Sequence, residues 1–124
     1  MIASAKLKYL GVSAQKTRLV VDQVRGRNLG DALALLRFSP KMVSKDLEKL
    51  VRSALANAQQ KDPKIDVDRL VISRATVDEG PPNKRMRARS MGRIYRILKK
   101  TCHVTIDLAV AEAPGRGPQA AGRR

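Results

Sequence analysis

Residues 84 to 100 read KRMRARSMGRIYRILKK, with five arginines, three lysines and no acid in 17 positions. Apolar Met86, Met91, Ile94, Tyr95, Ile97 and Leu98 are threaded between the charges. Such a segment cannot pack inside a domain, because charges buried without partners are strongly disfavoured. The bland alternative is a solvated charged face; eight cations without one acid point instead to a segment held against something anionic.

The rest of the chain sharpens that inference. The protein has 124 residues with 26 basic and 11 acidic side chains, a formal net charge of +15. Residues 84 to 100 supply +8 of it; residues 1 to 83 carry 15 basic and 9 acidic groups, and residues 101 to 124 only 3 and 2. Self-repulsion of this size calls for a polyanion, and nucleic acid is the leading partner class. The length fits one domain over residues 1–111. No apolar run is long enough to span a bilayer, the N-terminus MIASAKLKYL lacks a signal-peptide core, and a cytoplasmic protein is expected. A lone cysteine, Cys102, leaves no intramolecular disulfide.

Local patterns give the elements. Ala3, Ala5, Leu7 and Tyr9 alternate with polar residues as a strand. Ser13 can cap a helix from Ala14 to Arg25, closed by Gly26, with Val20, Val21 and Val24 inward. Asn28 can cap a second helix whose stripe of Leu29, Ala32, Leu33 and Leu36 ends at Phe38. Ser39-Pro40 predicts the start of the longest helix, since proline at the first helical position loses no hydrogen bond. Its apolar face is Val43, Leu47, Leu50, Val51, Ala54 and Ala58, and Asp62-Pro63 stops it. Val67 to Val77 reads as a strand with Val71, Ala75 and Val77 on one face and Leu70 and Ile72 on the other. Cys102, Val104, Ile106, Leu108 and Val110 share one face of a final strand. The expectation is an α+β fold, a small three-stranded antiparallel sheet packed against three helices. The Gly- and Pro-rich tail, residues 112–124, is expected to be flexible.

Two conformations compete for the basic segment. As a helix it would be amphipathic, with Arg85, Arg89, Arg93, Arg96 and Lys100 opposite Met91, Ile94, Ile97 and Leu98, suited to an anionic membrane or duplex DNA. Against this, Gly80-Pro81-Pro82 excludes helix just upstream, and the strand from Cys102 needs an antiparallel partner. Extending that partner makes residues 78–100 a long protruding two-stranded β-hairpin arm, about 35 Å in reach.

The order KYLGVSAQKTRLVVDQVRG at 8–26, ALALLRFSPK at 32–41, SALANA at 53–58, VDEGPPNKR at 77–85, ARSMGR at 88–93 and ILKKTCHVTI at 97–106 resembles the bacterial large-subunit ribosomal protein twenty-two family. The resemblance runs from about Lys6 to Leu108. It implies a structural constituent of the large ribosomal subunit, not an enzyme, that binds large-subunit ribosomal RNA and supports its assembly. It further implies an arm that lines the nascent-peptide exit tunnel, with its tip at Met86, Arg87, Ala88, Arg89, Ser90, Met91 and Gly92. Neighbouring ribosomal proteins and the nascent peptide are the implied partners, with no membrane and no homo-oligomer. One departure is Asn83, where the family commonly has methionine.

Charge and resemblance nominate the same contacts. Lys84, Arg85, Arg87, Arg89, Arg93, Arg96, Lys99 and Lys100 are candidate RNA-binding residues, with Lys16, Arg18, Arg25 and Arg27 as a weaker set on the domain. The arginine bias suits phosphates met from varied directions, because the planar fork pairs bidentately and also stacks. With one Phe, two Tyr and no Trp, the chain is expected to read RNA shape rather than stack single strands. No cofactor or metal is expected. Cys102 and His103 are strand neighbours pointing oppositely and lack further ligands; Cys102 should be core and His103 a surface or RNA-facing group. Asp78 and Glu79 should be turn residues or partners for nearby arginines.

Overall fold

The computed structural model describes residues 2–110; the tail expected to be flexible, residues 112–124, lies outside the described residues. The chain runs β1 (Ala3–Leu10), α1 (Ala14–Val24), α2 (Leu29–Phe38), α3 (Val43–Lys61), a 3-10 turn (Val67–Arg69), β2 (Leu70–Glu79), β3 (Asn83–Ala88), a second 3-10 turn (Ser90–Gly92), β4 (Ile94–Lys99) and β5 (Cys102–Val110). β1, β5 and β2 form an antiparallel sheet in that order, and β3 and β4 form a separate two-stranded ladder. This is the expected α+β fold with its hairpin. Residues 84–100 are therefore not the amphipathic helix that their periodicity also permits.

Of the two expected side-chain caps one is made: Asn28 precedes α2 without a side-chain cap bond. The Ser13 hydroxyl accepts the Lys16 amide at 3.4 Å, capping α1, and Val20, Val21 and Val24 are buried. α3 buries Val43, Leu47, Leu50, Val51, Ala54 and Ala58, a stripe that packs on β1 and β5 while α1 packs on β2 and α2 on α3. All three helices thus leave the opposite sheet face open.

Three details depart from the sequence expectations. α3 begins at Val43, not at Pro40: Ser39 closes α2 in an extended conformation, as the residue before proline prefers, and the Ser39 hydroxyl accepts the Lys41 amide. Phe38 does not complete the α2 stripe but stands 83% exposed. The third departure concerns face assignment in both edge strands.

In β2 the register with β5 slips between Ile72 and Arg74. One extra residue at Ser73 flips the alternation, so Leu70 and Ile72 share the core face with Ala75 and Val77, all buried. In β1 a second slip falls between Leu7 and Leu10, which places Lys8 and Tyr9 together opposite His103. Leu10 turns into the core and Tyr9 out of it, at φ 60. That left-handed backbone costs a non-glycine residue on the order of 1–2 kcal/mol.

Helix side chains bond backbone at both sheet edges, along β2 and at the N-terminal end of β1. Along β2, Arg25 donates Nε and Nη2 to the Ala75 carbonyl at 3.0 and 2.7 Å, and Arg18 donates Nη2 to the Val77 carbonyl at 2.8 Å. Gly26 N–H and the Arg27 carbonyl pair with the backbone of Ile72. Along β1, Asn57 Nδ2 donates to the Ser4 carbonyl and Lys61 Nζ to that of Ile2. Strand addition at either edge would have to displace these bonds.

Candidate nucleic-acid interface

The arm departs from the sheet where the sequence forbids pairing to continue. Asp78 and Glu79, expected in the arm, still pair with His103 and Cys102 in the three-stranded sheet. Pro81 and Pro82 have no N–H to offer a ladder, and the hairpin's own pairing starts at Asn83 opposite Lys99. The root is tied by two bonds: Gly80 N–H to the Thr101 carbonyl and the Thr101 hydroxyl to the Pro81 carbonyl, both 2.9 Å. Gly80 has no room for a side chain, since an added Cβ would lie 2.6 Å from Thr101 Oγ1 and 3.0 Å from the His103 ring.

Six registered pairs, from Asn83–Lys99 to Ala88–Ile94, carry the arm outward, about 20 Å at 3.3 Å per residue. The chain reverses over Arg89 to Arg93, where Arg89 N–H bonds the Arg93 carbonyl and Met91 and Gly92 both take left-handed backbone. Gly92 supplies one of these at no steric cost. Met86, Arg87 and Ala88, expected at the tip, therefore lie on β3; Arg89, Ser90, Met91 and Gly92 are in the reversal itself, and Met91 is 98% exposed.

Pairing in this ladder puts no cation directly across from another. The pairs are Asn83–Lys99, Lys84–Leu98, Arg85–Ile97, Met86–Arg96, Arg87–Tyr95 and Ala88–Ile94. Like charges directly opposite destabilise a strand pair, and each basic residue here faces an apolar or neutral partner instead. The apolar residues threaded through the segment are thus spacers for its charge. One arm face carries Lys84, Met86, Ala88, Ile94, Arg96 and Leu98, the other Asn83, Arg85, Arg87, Tyr95, Ile97 and Lys99. Every residue of β3 is exposed, and β4 is exposed except for half-buried Ile97. Among the described residues no ion pair involves an arm cation.

The domain set divides. Lys16 lines a cleft at the arm root with Lys99 and Lys100, and Arg18 a second cleft with Glu79 and Lys100. α1 thereby brings two of its cations to the foot of the arm. Arg25 and Arg27 lie outside both clefts. Arg25 clamps β2 and pairs with Asp22 at 2.6 Å, and Arg27 Nε donates to the Gln23 carbonyl. Basic character alone could not separate edge clamps from free cations.

The residues that invited catalytic readings have structural neighbours. Cys102 is fully buried, its Sγ 3.4 Å from Thr17 Oγ1, which itself donates to the Ser13 carbonyl. His103 is half-buried, and its Nδ1 accepts the Tyr9 amide at 3.0 Å. Among the described residues no group of three or more His, Cys, Asp or Glu could hold a metal ion. No described helix is long and apolar enough to cross a membrane. Asp78 and Glu79 end β2 rather than a turn, and no ion pair among the described residues includes them.

A family model described as ribosomal protein L22p/L17e matches residues 5–109, from the first strand to the last. The chain belongs to that family. Relatives named large ribosomal subunit protein uL22 include that of Geobacter sulfurreducens, 53% identical over 109 residues, covering 88% of this chain and 97% of the relative. That of Geobacter metallireducens is likewise 53% identical, covering 88% and 98%. In Anaeromyxobacter sp. strain Fw109-5 the relative is 51% identical over 108 residues, 87% of this chain and 75% of its own length. The L22p/L17e family is one of structural ribosomal proteins and not of enzymes. Sequence reasoning picks out Gly80 as a helix breaker and His103 as a surface or RNA-facing group, but not Thr101, nor that the three together build the arm's root. Their only local signal is the glycine before two prolines.

Proposed function

We propose that this protein is a structural component of the large ribosomal subunit in the cytoplasm that binds large-subunit ribosomal RNA through its arm and root clefts. Lys84, Arg85, Arg87, Arg89, Arg93, Arg96, Lys99 and Lys100 bind phosphates and base edges, with Lys16 adding to the root. Arg18, Arg25 and Arg27 contribute the N–H groups that the domain leaves over. By anchoring RNA on both arm faces the protein supports subunit assembly, beside neighbouring ribosomal proteins. The outer end of the arm, Met86 to Ala88 at the end of β3 and the reversal from Arg89 to Gly92, lines the nascent-peptide exit tunnel, and the protein acts as a single copy away from any membrane.

A single observation carries this reading. An exposed, acid-free segment, residues 84–100, with eight cations forms a hairpin whose strands are exposed apart from half-buried Ile97 and which meets the domain at its root. A two-stranded ladder without a core is marginal in water, and in this one the paired cations face neutral residues rather than acidic partners. Folded RNA supplies anions on both sides of such an arm.

The test is the salt dependence of binding to large-subunit ribosomal RNA, for the full chain and for a version with residues 83–99 replaced by a short Gly-Ser turn. With six or seven of the arm contacts removed in that version, the full chain's log-log slope should be steeper by roughly 4 to 6. Equal slopes would exclude phosphate contacts by the arm. For the tunnel, a photo-crosslinker at Met91 in assembled ribosomes should capture a stalled nascent chain; capture of RNA alone would remove that part of the proposal.

A further inference from the structure

The β1 bulge makes demands on the backbone at position 9 but none on its side chain. Two residues must oppose His103, and the N–H left out of the ladder must find an acceptor, which His103 Nδ1 supplies at 3.0 Å. Glycine or asparagine would meet both demands at φ 60 with less strain. The chain instead holds a tyrosine there, 65% exposed and adding little to the core.

That ring is held in place. It meets the His103 ring edge to face, with centroids 4.9 Å apart and planes at 86°, so at least one tyrosine face is left clear of the imidazole. Its backbone is fixed by the same imidazole that lies against Gly80 at the arm root. Lys8 beside it and Lys6 on the same strand are exposed. A strained, exposed aromatic, pinned at its backbone and flanked by cations, has the composition of a stacking platform rather than of a core residue.

We infer that Tyr9 is a base-stacking residue: its open face receives an unpaired nucleobase of large-subunit ribosomal RNA beside the arm root, with Lys6 and Lys8 on adjoining phosphates. The inference rests on the RNA-binding role proposed above and adds a contact of another kind. Splayed-out bases in folded RNA are held by aromatic faces, and such stacking releases no counterions. Tyr9 should therefore contribute affinity without contributing to the salt slope, the reverse of an arm arginine.

The full chain allows a direct test, because it has two tyrosines and no tryptophan. In a Tyr95→Phe background Tyr9 is the only tyrosine emitter, and saturating large-subunit ribosomal RNA should quench it. In parallel, Tyr9→Gly, which relaxes the left-handed backbone, should weaken binding about 5- to 100-fold with an unchanged salt slope and a thermal midpoint close to the parent's. Tyr9→Phe should bind within about twofold of the parent, since it keeps the ring face. Quenching together with this pattern supports the inference. Undiminished emission at saturation, parental affinity for Tyr9→Gly, or a loss that tracks a lowered midpoint overturns it while leaving the arm's role intact. A parent chain that fails to bind the RNA overturns both readings.

Discussion

The arm root offers a perturbation whose size follows from three distances. In Gly80→Ala the new methyl would sit 2.6 Å from Thr101 Oγ1, 3.0 Å from His103 Cε1 and 3.1 Å from Nε2. His103 cannot swing away freely, because its Nδ1 holds the Tyr9 amide. Thr101 can rotate, but only by giving up its 2.9 Å bond to the Pro81 carbonyl, a loss of about 0.5–1.5 kcal/mol. Residual crowding against the imidazole adds about 1 kcal/mol. Reduced chain entropy in the unfolded state returns roughly 0.4–1 kcal/mol. The net expectation is about 0.5–2 kcal/mol of destabilisation by urea unfolding, and a thermal midpoint lower by roughly 3–6 °C per kcal/mol. Thr101→Ala removes the shortest contact, so the double variant should be more stable than the sum of the two singles by about 1 kcal/mol, beyond the roughly 0.3–0.5 kcal/mol scatter of independent sites. A Gly80→Ala protein as stable as its parent, or a strictly additive cycle, would refute this account of the root.

Three further outcomes follow from the same geometry. Arg25→Met strips both bonds from the Ala75 carbonyl and should cost about 1–2 kcal/mol in urea unfolding; an unchanged midpoint would mean that water seals that edge equally well. Ile97→Arg places a guanidinium directly across from Arg85. It should weaken cross-strand nuclear Overhauser contacts in the arm at low salt and let them recover as salt screens the pair. Cys102 is fully buried, so a thiol reagent should modify it only at the rate of opening of the sheet, and that rate should rise in step with urea; prompt labelling of the native protein would contradict its place in the core.

Legibility followed periodicity and stopped where periodicity was interrupted. The α3 stripe and the alternation from Cys102 to Leu108 predicted burial correctly, because each residue's face there depends only on its count along a regular element. Ser73 and the Lys8–Tyr9 pair broke that dependence. One inserted residue exchanged the faces on either side, and nothing local in VISRAT or KLKYL announces an insertion that only the register with β5 defines. The start of α3 was misread for a related reason: Ser39-Pro40 is a valid stop for α2, and one dipeptide can punctuate the end of a helix as well as the beginning of the next. The strand nature of the arm was legible only through its flanks, Gly80 to Pro82 and the strand after it, since its own sequence satisfies both periods.

Charge was the most visible property of the sequence, and the structure divides it by use. Arg18 and Arg25 donate to carbonyls of β2, and Lys61 donates to one at the β1 edge, so these cations close a small sheet as well as adding to its potential. On the arm the relation is reversed. There the neutral residues serve the charged ones: the five cations of the ladder are set across from Leu98, Ile97, Met86, Tyr95 or Asn83, and only at the reversal do two arginines, Arg89 and Arg93, face each other. On the proposed RNA-binding role, an arginine has to be discounted by the backbone bonds it already makes: Arg18 and Arg25 bond carbonyls of β2, whereas on the arm Arg85 bonds only the neighbouring Lys84 carbonyl. The two classes separate by experiment: neutralising an edge clamp should change stability more than salt slope, and neutralising an arm cation should lower the slope by about 0.7–0.9 and leave the stability of the sheet untouched.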